Sequence, residues 1–301
     1  MREFFQGHQG ELAALFTACL WMVSAFAFEA GSKRIGSLAV NIYRLVIGLV
    51  FLCILNIIIR GVVLPTDASA LNWKWLSLSG LIGFAVGDLF LFKSYTIIGS
   101  RFSMLIMTLV PPITTLFSWL MIGERLKMLH FAGMALTFVG IAIAIFNMNG
   151  EGEKFSLKLA PSGILYAFGG AVGQALGMVL SKMGIGDYNP FAATQIRIIA
   201  GIAGFVVLTT IIRRWKSVIK AGSDFKGMRD TTIGAFFGPF LGVSFSLISV
   251  KLTQAGIAAT IMALTPVLII PPAVFIYKQK VTVAEIAGAI ISVIGVAVFF
   301  M

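Results

Sequence analysis

The sequence predicts an all-α integral membrane protein of ten transmembrane helices in two inverted five-helix repeats. Two observations carry this. The first is composition. The chain of 301 residues is 58% hydrophobic and 12% charged, against roughly half and a quarter in soluble domains. The second is an internal match. Residues 79–146 align with 234–301 at a shift of 155, so that Gly83, Gly87, Phe90, Ser94, Met107, Pro111, Gly133 and Gly140 meet Gly238, Gly242, Phe245, Ser249, Met262, Pro266, Gly288 and Gly295. At a shift of 153, Gly10, Leu12, Gly31, Arg44 and Gly48 meet Gly163, Leu165, Gly184, Arg197 and Gly201. Five spans in each copy force the second copy to enter the membrane from the opposite side. Such a repeat lets one sequence face two compartments around a central site. That points to a transporter.

Apolar runs of about 20 residues, enough to cross a ~30 Å hydrocarbon layer, fall at 11–29, 37–59, 75–98, 101–122, 127–146, 161–182, 190–212, 231–253, 256–277 and 281–300. Residues 1–148 form the first repeat, 149–160 the inter-repeat loop, and 161–301 the second repeat. Arg2, the apolar run after it and Ala25-Phe26-Ala27 imitate a signal peptide. The run at 11–29 nevertheless has a mate at 164–182, deep in the chain, so it reads as a retained first span. Trp73, Trp75 and Tyr277 sit at span ends as interfacial anchors would. Cys19 and Cys53 both fall inside spans and read as buried packing residues, and no metal-ligand spacing is present. The net charge of +11 lies mostly in short loops beside spans, which makes lipid headgroups, not nucleic acid, the counter-charge. In the most basic loop, 213–230, Trp215, Val218 and Ile219 fall at helical spacing. A short helix on headgroups and a solvated loop both fit.

Charges at membrane depth are functional candidates by default. Asp88 lies mid-span and its mate is Val243, so any chemistry it performs belongs to one half. Lys93 is five residues on, about 140° around the helix, and does not share its face. Arg44 and Arg197 are mates about two turns inside their spans, placed for structural pairing or for snorkelling. Trp21 and Gln174 are mates near mid-span and suit a cavity, although Trp21 also fits a core or lipid face. Pro111 and Pro266 are mates in the middle of spans four and nine, with Pro112, Pro271 and Pro272 beside them. Each removes a helix hydrogen bond, and freed carbonyls such as those of Met107 and Met262 are tolerated only against protein or a wet cavity. Matching helix breaks in two halves point to a midplane binding site; a packing kink is the plain alternative. The expected substrate-binding set is Trp21, Asp88, Met107, Pro111, Gln174, Met262 and Pro266.

Pro111 followed by Ile113-Thr114-Thr115-Leu116-Phe117, then Gly123-Glu124-Arg125-Leu126 and Gly133 through Val139-Gly140, resembles the signature of the EamA family of the drug/metabolite transporter superfamily. The second half repeats it as Thr265-Pro266-Val267 and Gly288 through Ile294-Gly295-Val296, and Ser181-Lys182 with Arg197 also fits. Two positions depart: Gln279 stands where the first copy has Glu124, and Glu29 where a basic residue is expected. The resemblance implies a ten-span inner-membrane carrier, commonly an exporter of amino acids, metabolites or amphipathic drugs, with cytoplasmic termini. The loop charges instead favour termini outside. Glu124 is expected to cap or pair with span five. His8 and His130, near span ends, read as solvated. No nucleotide-binding loop, zinc motif or nucleophile–base pair is present, so neither a cofactor nor enzymatic activity is expected. The expected partners are a small-molecule solute and membrane lipids, with the chain a monomer or homodimer. A flippase for lipid-linked cargo and a membrane sensor are the alternatives.

Overall fold

The computed structural model describes residues 6–147, 160–275 and 281–301. Tyr277, Gln279 and most of the inter-repeat loop lie outside the described residues. All regular structure within them is helical. In chain order the helices are α1 (Gln9–Ile35), α2 (Ser37–Arg60), α3 (Ala70–Gly80), α4 (Asp88–Met107), α5 (Val110–Ile122), α6 (Met128–Asn147), α7 (Pro161–Ile185) and α8 (Pro190–Ile211). They continue as α9 (Trp215–Ala221), α10 (Phe225–Ala235), α11 (Val243–Leu252), α12 (Ala255–Met262), α13 (Thr265–Leu268), α14 (Ile270–Phe275) and α15 (Val283–Ala297). Among the described residues nine helical stretches are long and apolar enough to cross a membrane, and Val110–Ile122 is a shorter apolar one. This is a multi-pass membrane protein. Its outer faces carry exposed Val50, Ile58, Leu120, Leu165, Val207 and Ile290, side chains that lipid would cover.

Local chemistry sets the helix ends. Ser69 with Asn72 and Thr282 with Glu285 form capping boxes that start α3 and α15, each satisfying amides that the first turn leaves unpaired. Asn189 caps α8 with its side-chain oxygen, and Pro190 sits at the first helical position, where its missing N–H costs nothing. Gly61 and Gly123 close α2 and α5 with positive φ of 70° and 71°, a conformation that side-chain-bearing residues adopt with strain. The loop at 213–230 is largely helical. In α9, Val218 is buried and its carbonyl accepts from the Tyr43 hydroxyl, while Ile219 is exposed. Asp224 caps α10 and reaches Arg34.

The repeat is visible in the helix irregularities themselves. A π-helical segment runs from Leu81 to Gly87, and its mate runs from Phe236 to Gly242. Helix α4 ends at Met107 and α12 at Met262, again mates, and the following turns share their bonds: Leu109 N–H to Ile106 O, and Leu264 N–H to Ile261 O. The Ser94 hydroxyl donates to that of Ser103 at 2.7 Å. Nine residues of straight helix would separate these by about 13 Å, so the chain folds back within α4. The second repeat turns openly at Thr253–Gln254 instead.

Mates also pack on mates. Along α6 and α15, a Cβ added at Gly133 would lie 2.9 Å from the Gly295 carbonyl, and one at Gly288 would lie 2.6 Å from the Gly140 carbonyl. Thr137 and its own mate Ser292 meet between them. Numbers rise along one helix as they fall along the other, so the pair is antiparallel. The same reciprocity links α2 and α8, where Gly48 meets Ile198 and Gly201 meets Leu45. Helix α7 runs against α3 and the first π segment through Ser181–Ser79, Gly177–Gly83 and Gly173–Gly87. Correspondingly α1 runs against α10 and the second π segment through Phe28–Gly234, Ser24–Gly238 and Trp21–Gly242. Glycine lets backbones meet where lipid gives no hydrophobic drive for association. The cysteines depart from expectation: Cys19 is exposed, and Cys53 is half-buried with the Gln195 amide at 3.1 Å. Lipid can cover a thiol as readily as protein can.

Two outcomes are expected. Gly288→Ala should lower the melting temperature in detergent by an amount worth about 1–3 kcal/mol, the usual cost of overpacking, while Gly7→Ala, with open space around it, should not. Asp224 has its carboxyl held below the usual range by the Gly227 amide first and Arg34 second. Its folded form therefore favours the ionised state, and the stabilisation is present above the ordinary carboxylate pKa and lost as pH falls through the lowered one. The melting difference between wild type and Asp224→Ala should shrink as pH is taken below about 4.

Candidate functional site

Asp88 opens α4 directly after the first π segment, a kind of distortion often found at functional positions. It is buried, and three helices other than its own supply its surroundings. Arg44 of α2 forms an ion pair with one carboxylate oxygen. The Gln174 amide of α7 donates to the other at 2.9 Å and to the Gly83 carbonyl at 3.2 Å. The second bond uses a carbonyl inside the π segment. Close glycine contact makes this geometry attainable: a Cβ at Gly87 would lie 3.4 Å from the Gln174 amide nitrogen. Arg197 of α8 is within electrostatic reach of Asp88 and its guanidinium lies over the Phe84 ring, 4.9 Å from the centroid. Arg44 lies similarly 5.5 Å from the Phe28 centroid. Of the two roles expected of the arginines, structural pairing is the one found for Arg44, which ties α2 to α4 through Asp88; Arg197 turns toward the same carboxylate. In hydrocarbon a shared counter-ion is worth more than the distant headgroup layer. Lys93, already placed off the Asp88 face by its spacing, is exposed.

The other expected site residues fall into separate surroundings. Trp21 packs against Gly242 and the buried cluster around Ile261 and Leu264. Trp21–Gly242 therefore occupies in one half the place that Gln174–Gly87 occupies in the other. Pro111 is buried and lines a cavity of about 320 Å³ with Thr108, Leu109, Met134, Thr137 and Thr260. Phe131 and Phe138, both exposed, also line it, so it opens toward the lipid-covered side. Pro266 is half-buried and does not line that cavity. Met107 is half-buried, and Met262, 2% exposed, belongs to the apolar core. The structure thus brings Asp88 and Gln174 into contact and adds Arg44 and Arg197. The pairing of the arginines as repeat mates was the available signal for these two.

A second polar region joins the helix ends nearest the two termini. Glu124 forms an ion pair with Lys182 at the end of α7, and accepts the Ala255 N–H at 2.9 Å. It therefore caps α12 and ties it to α7. The expected tie to span five is corrected, because the turn after α5 aims the side chain across the bundle. Thr253 joins in, its carbonyl accepting from Lys182 and its hydroxyl bonding Glu11 at 2.6 Å. Beside them is a cavity of about 360 Å³ lined by Arg125, Lys127, His130, Lys182, Lys251 and Gln254. His130 is half-buried there, its Nδ1 without a partner, and is not the solvated residue its position suggests.

Asp88→Asn should remove the shared counter-ion from the half-buried Arg44 and the buried Arg197. The expected loss is about 3–5 kcal/mol, the usual cost of stranding one side of a buried pair. Thermal unfolding in detergent reads it, and adding Arg44→Gln to the same chain should recover more than half.

The family model described as "EamA-like transporter family" matches the chain twice, over residues 8–146 and 161–301. No curated protein matches the chain. A solved crystal structure aligns over 97% of this chain and 96% of its own with a TM-score of 0.74, at 19% identity. That likeness shows a shared fold.

Proposed function

Since the chain belongs to the EamA-like transporter family, matched in both halves, we propose that it is a secondary transporter of small organic solutes, working by alternating access. The observation that carries this is the Arg44–Asp88–Gln174 cluster with Arg197 beside it. It is a costly set of charges built at membrane depth, drawn from both halves, next to a π-helical segment that has a mate in the other half.

In this reading the protein has ten spans in two inverted repeats, residues 1–148 and 161–301, joined by 149–160. Support comes from the antiparallel packing of α6 on α15 and of α2 on α8, each between repeat mates. Two elements related by reversal can exchange conformations, so one half opens as its mate closes. Asp88 and Gln174 supply the polar part of the site. Trp21 and Met107 supply apolar contact, and Pro111 and Pro266 mark the hinges of spans four and nine. Met262 becomes a lining residue only as its half opens, since here it lies in the core. The protein sits in the inner membrane with cytoplasmic termini and works as an exporter. The apolar cavity beside Pro111, open toward lipid, favours a second reading: an amphipathic or lipid-linked cargo that enters sideways.

The test is reconstitution into liposomes with labelled amino acids, organic acids and amphipathic amines, with and without a pH gradient. Saturable uptake of at least one solute is expected, and Pro111→Ala should alter its rate more than Pro272→Ala. Uptake confined to membrane-partitioned cargo would select the second reading. Passive leakage equal to that of protein-free liposomes would overturn transport altogether.

A further inference from the structure

The midplane charges do not cancel. Arg44 and Asp88 form one ion pair. Arg197 is 7% exposed and makes no ion pair within 4 Å among the described residues. Its Nε is buried without a hydrogen-bond partner. The Phe84 ring and the partly spent field of Asp88 are what stabilise it. An aromatic face offsets only part of what a cation loses on leaving water, and Asp88 already shares its charge with Arg44. The cluster therefore holds one excess positive charge that its own residues under-compensate.

Building on the transporter reading, we propose that the carried solute is a small organic anion whose carboxylate or phosphate group docks on the Arg197 guanidinium. The anion supplies the counter-charge that the fold withholds. A planar guanidinium also suits two-point bonding to either group. Asp88, held by Arg44 and Gln174, orients that pair and repels an anion from any other approach. With Arg197 closed off here, the docking position is uncovered when one half of the bundle opens.

An independent observation points the same way. The cavity near the termini is lined by Arg125, Lys127, His130, Lys182 and Lys251. Among the described residues only Lys182 of these pairs with a carboxylate, that of Glu124. Its walls come from α6, α7, α11, α12 and the turns beside them. Arg125, Lys127, Lys182 and Lys251 outnumber the flanking carboxylates of Glu11 and Glu124, and a mouth with an excess of one charge concentrates the opposite one, so this vestibule collects anions on their way to Arg197.

The experiment uses the full-length protein in neutral detergent and in phosphatidylcholine liposomes. Malate, glutamate, glucose 6-phosphate, leucine and putrescine are compared by thermal shift and by uptake, and phosphatidylglycerol is added in a separate arm. At least one soluble anion should raise the melting temperature and be taken up, while leucine and putrescine should not. Arg197→Gln should weaken that response about tenfold or more, and Arg197→Lys should retain part of it. Ligand-free Arg197→Gln should melt no lower than wild type. Lys251→Gln should slow uptake at low salt more than at high salt, as screening predicts.

Protection by putrescine with none by the anions would overturn the proposal while leaving transport intact. Protection by phosphatidylglycerol alone would assign the charge to a lipid headgroup and overturn the solute. A clear drop in ligand-free melting for Arg197→Gln, with the anion response unchanged, would make Arg197 structural and overturn it too. Anion binding that depends on Arg197 without any uptake would uphold the site and overturn the transporter reading instead.

Discussion

Backbone-to-backbone approach at glycine is the constraint on which the rest of this bundle depends. Helices in lipid gain nothing by hiding apolar surface from one another, so contact must come from dispersion at short range and from interhelical hydrogen bonds. Here Gly83, Gly87, Gly173 and Gly177 bring α3, the first π segment and α7 together, and the Ser79 hydroxyl reaches the Gly177 carbonyl at 2.5 Å. Gly133, Gly140, Gly288 and Gly295 do the same for α6 and α15. Larger side chains at these places would push the helices apart and take the charged cluster with them. Packing and polar chemistry are thus one problem, because Gln174 reaches Asp88 only where Gly87 lets its helix come close.

The two halves share a frame and differ in chemistry. Their π segments and the helix breaks after Met107 and Met262 correspond position by position. Yet Asp88 faces Val243 across the repeat, and Gln174 faces Trp21. One half holds a hydrogen-bonded carboxylate where the other holds an indole against a glycine. The arginine is kept in both halves, and both copies converge on the single acid. Two cations around one anion follow from a repeat that preserved Arg44 and Arg197 but only one partner.

The inward turn of these arginines also explains why the membrane tolerates them. A guanidinium two turns inside a span can extend to headgroups, or it can find an aromatic face and a carboxylate nearer to hand. Phe28 and Phe84 supply such faces for Arg44 and Arg197. At the end of the bundle near the termini, Glu124 and Glu11 perform a related service, joining Lys182 and Thr253 into a network that closes the ends of α7, α11 and α12.

Hydropathy, repeat spacing and proline position are properties of the chain taken in order, and they were readable without coordinates. The apolar runs located the helices because only a helix satisfies its own backbone in lipid. The mates at 155 fixed that breaks near Pro111 and Pro266 would match, because proline removes the same bond wherever it stands. Which charges meet was decided by the tertiary structure. Arg44 lies 44 residues from Asp88, and Gln174 lies 86 from it, so their contact depends on how helices rotate and cross. Glu124 was misjudged for the same reason: sequence placed it beside span five, whereas its turn aims it at Lys182 and the Ala255 amide. The first π segment was equally hidden, since residue order within 81–87 gives no sign of a widened turn, whereas its mate carries Pro239 inside it, a residue that removes a helix hydrogen bond. Sequence determined where the long apolar helices fall and how often the pattern repeats. Only the fold decided which buried cation has no ion pair among the described residues, because a side chain's partner is set by distance in space and not along the chain.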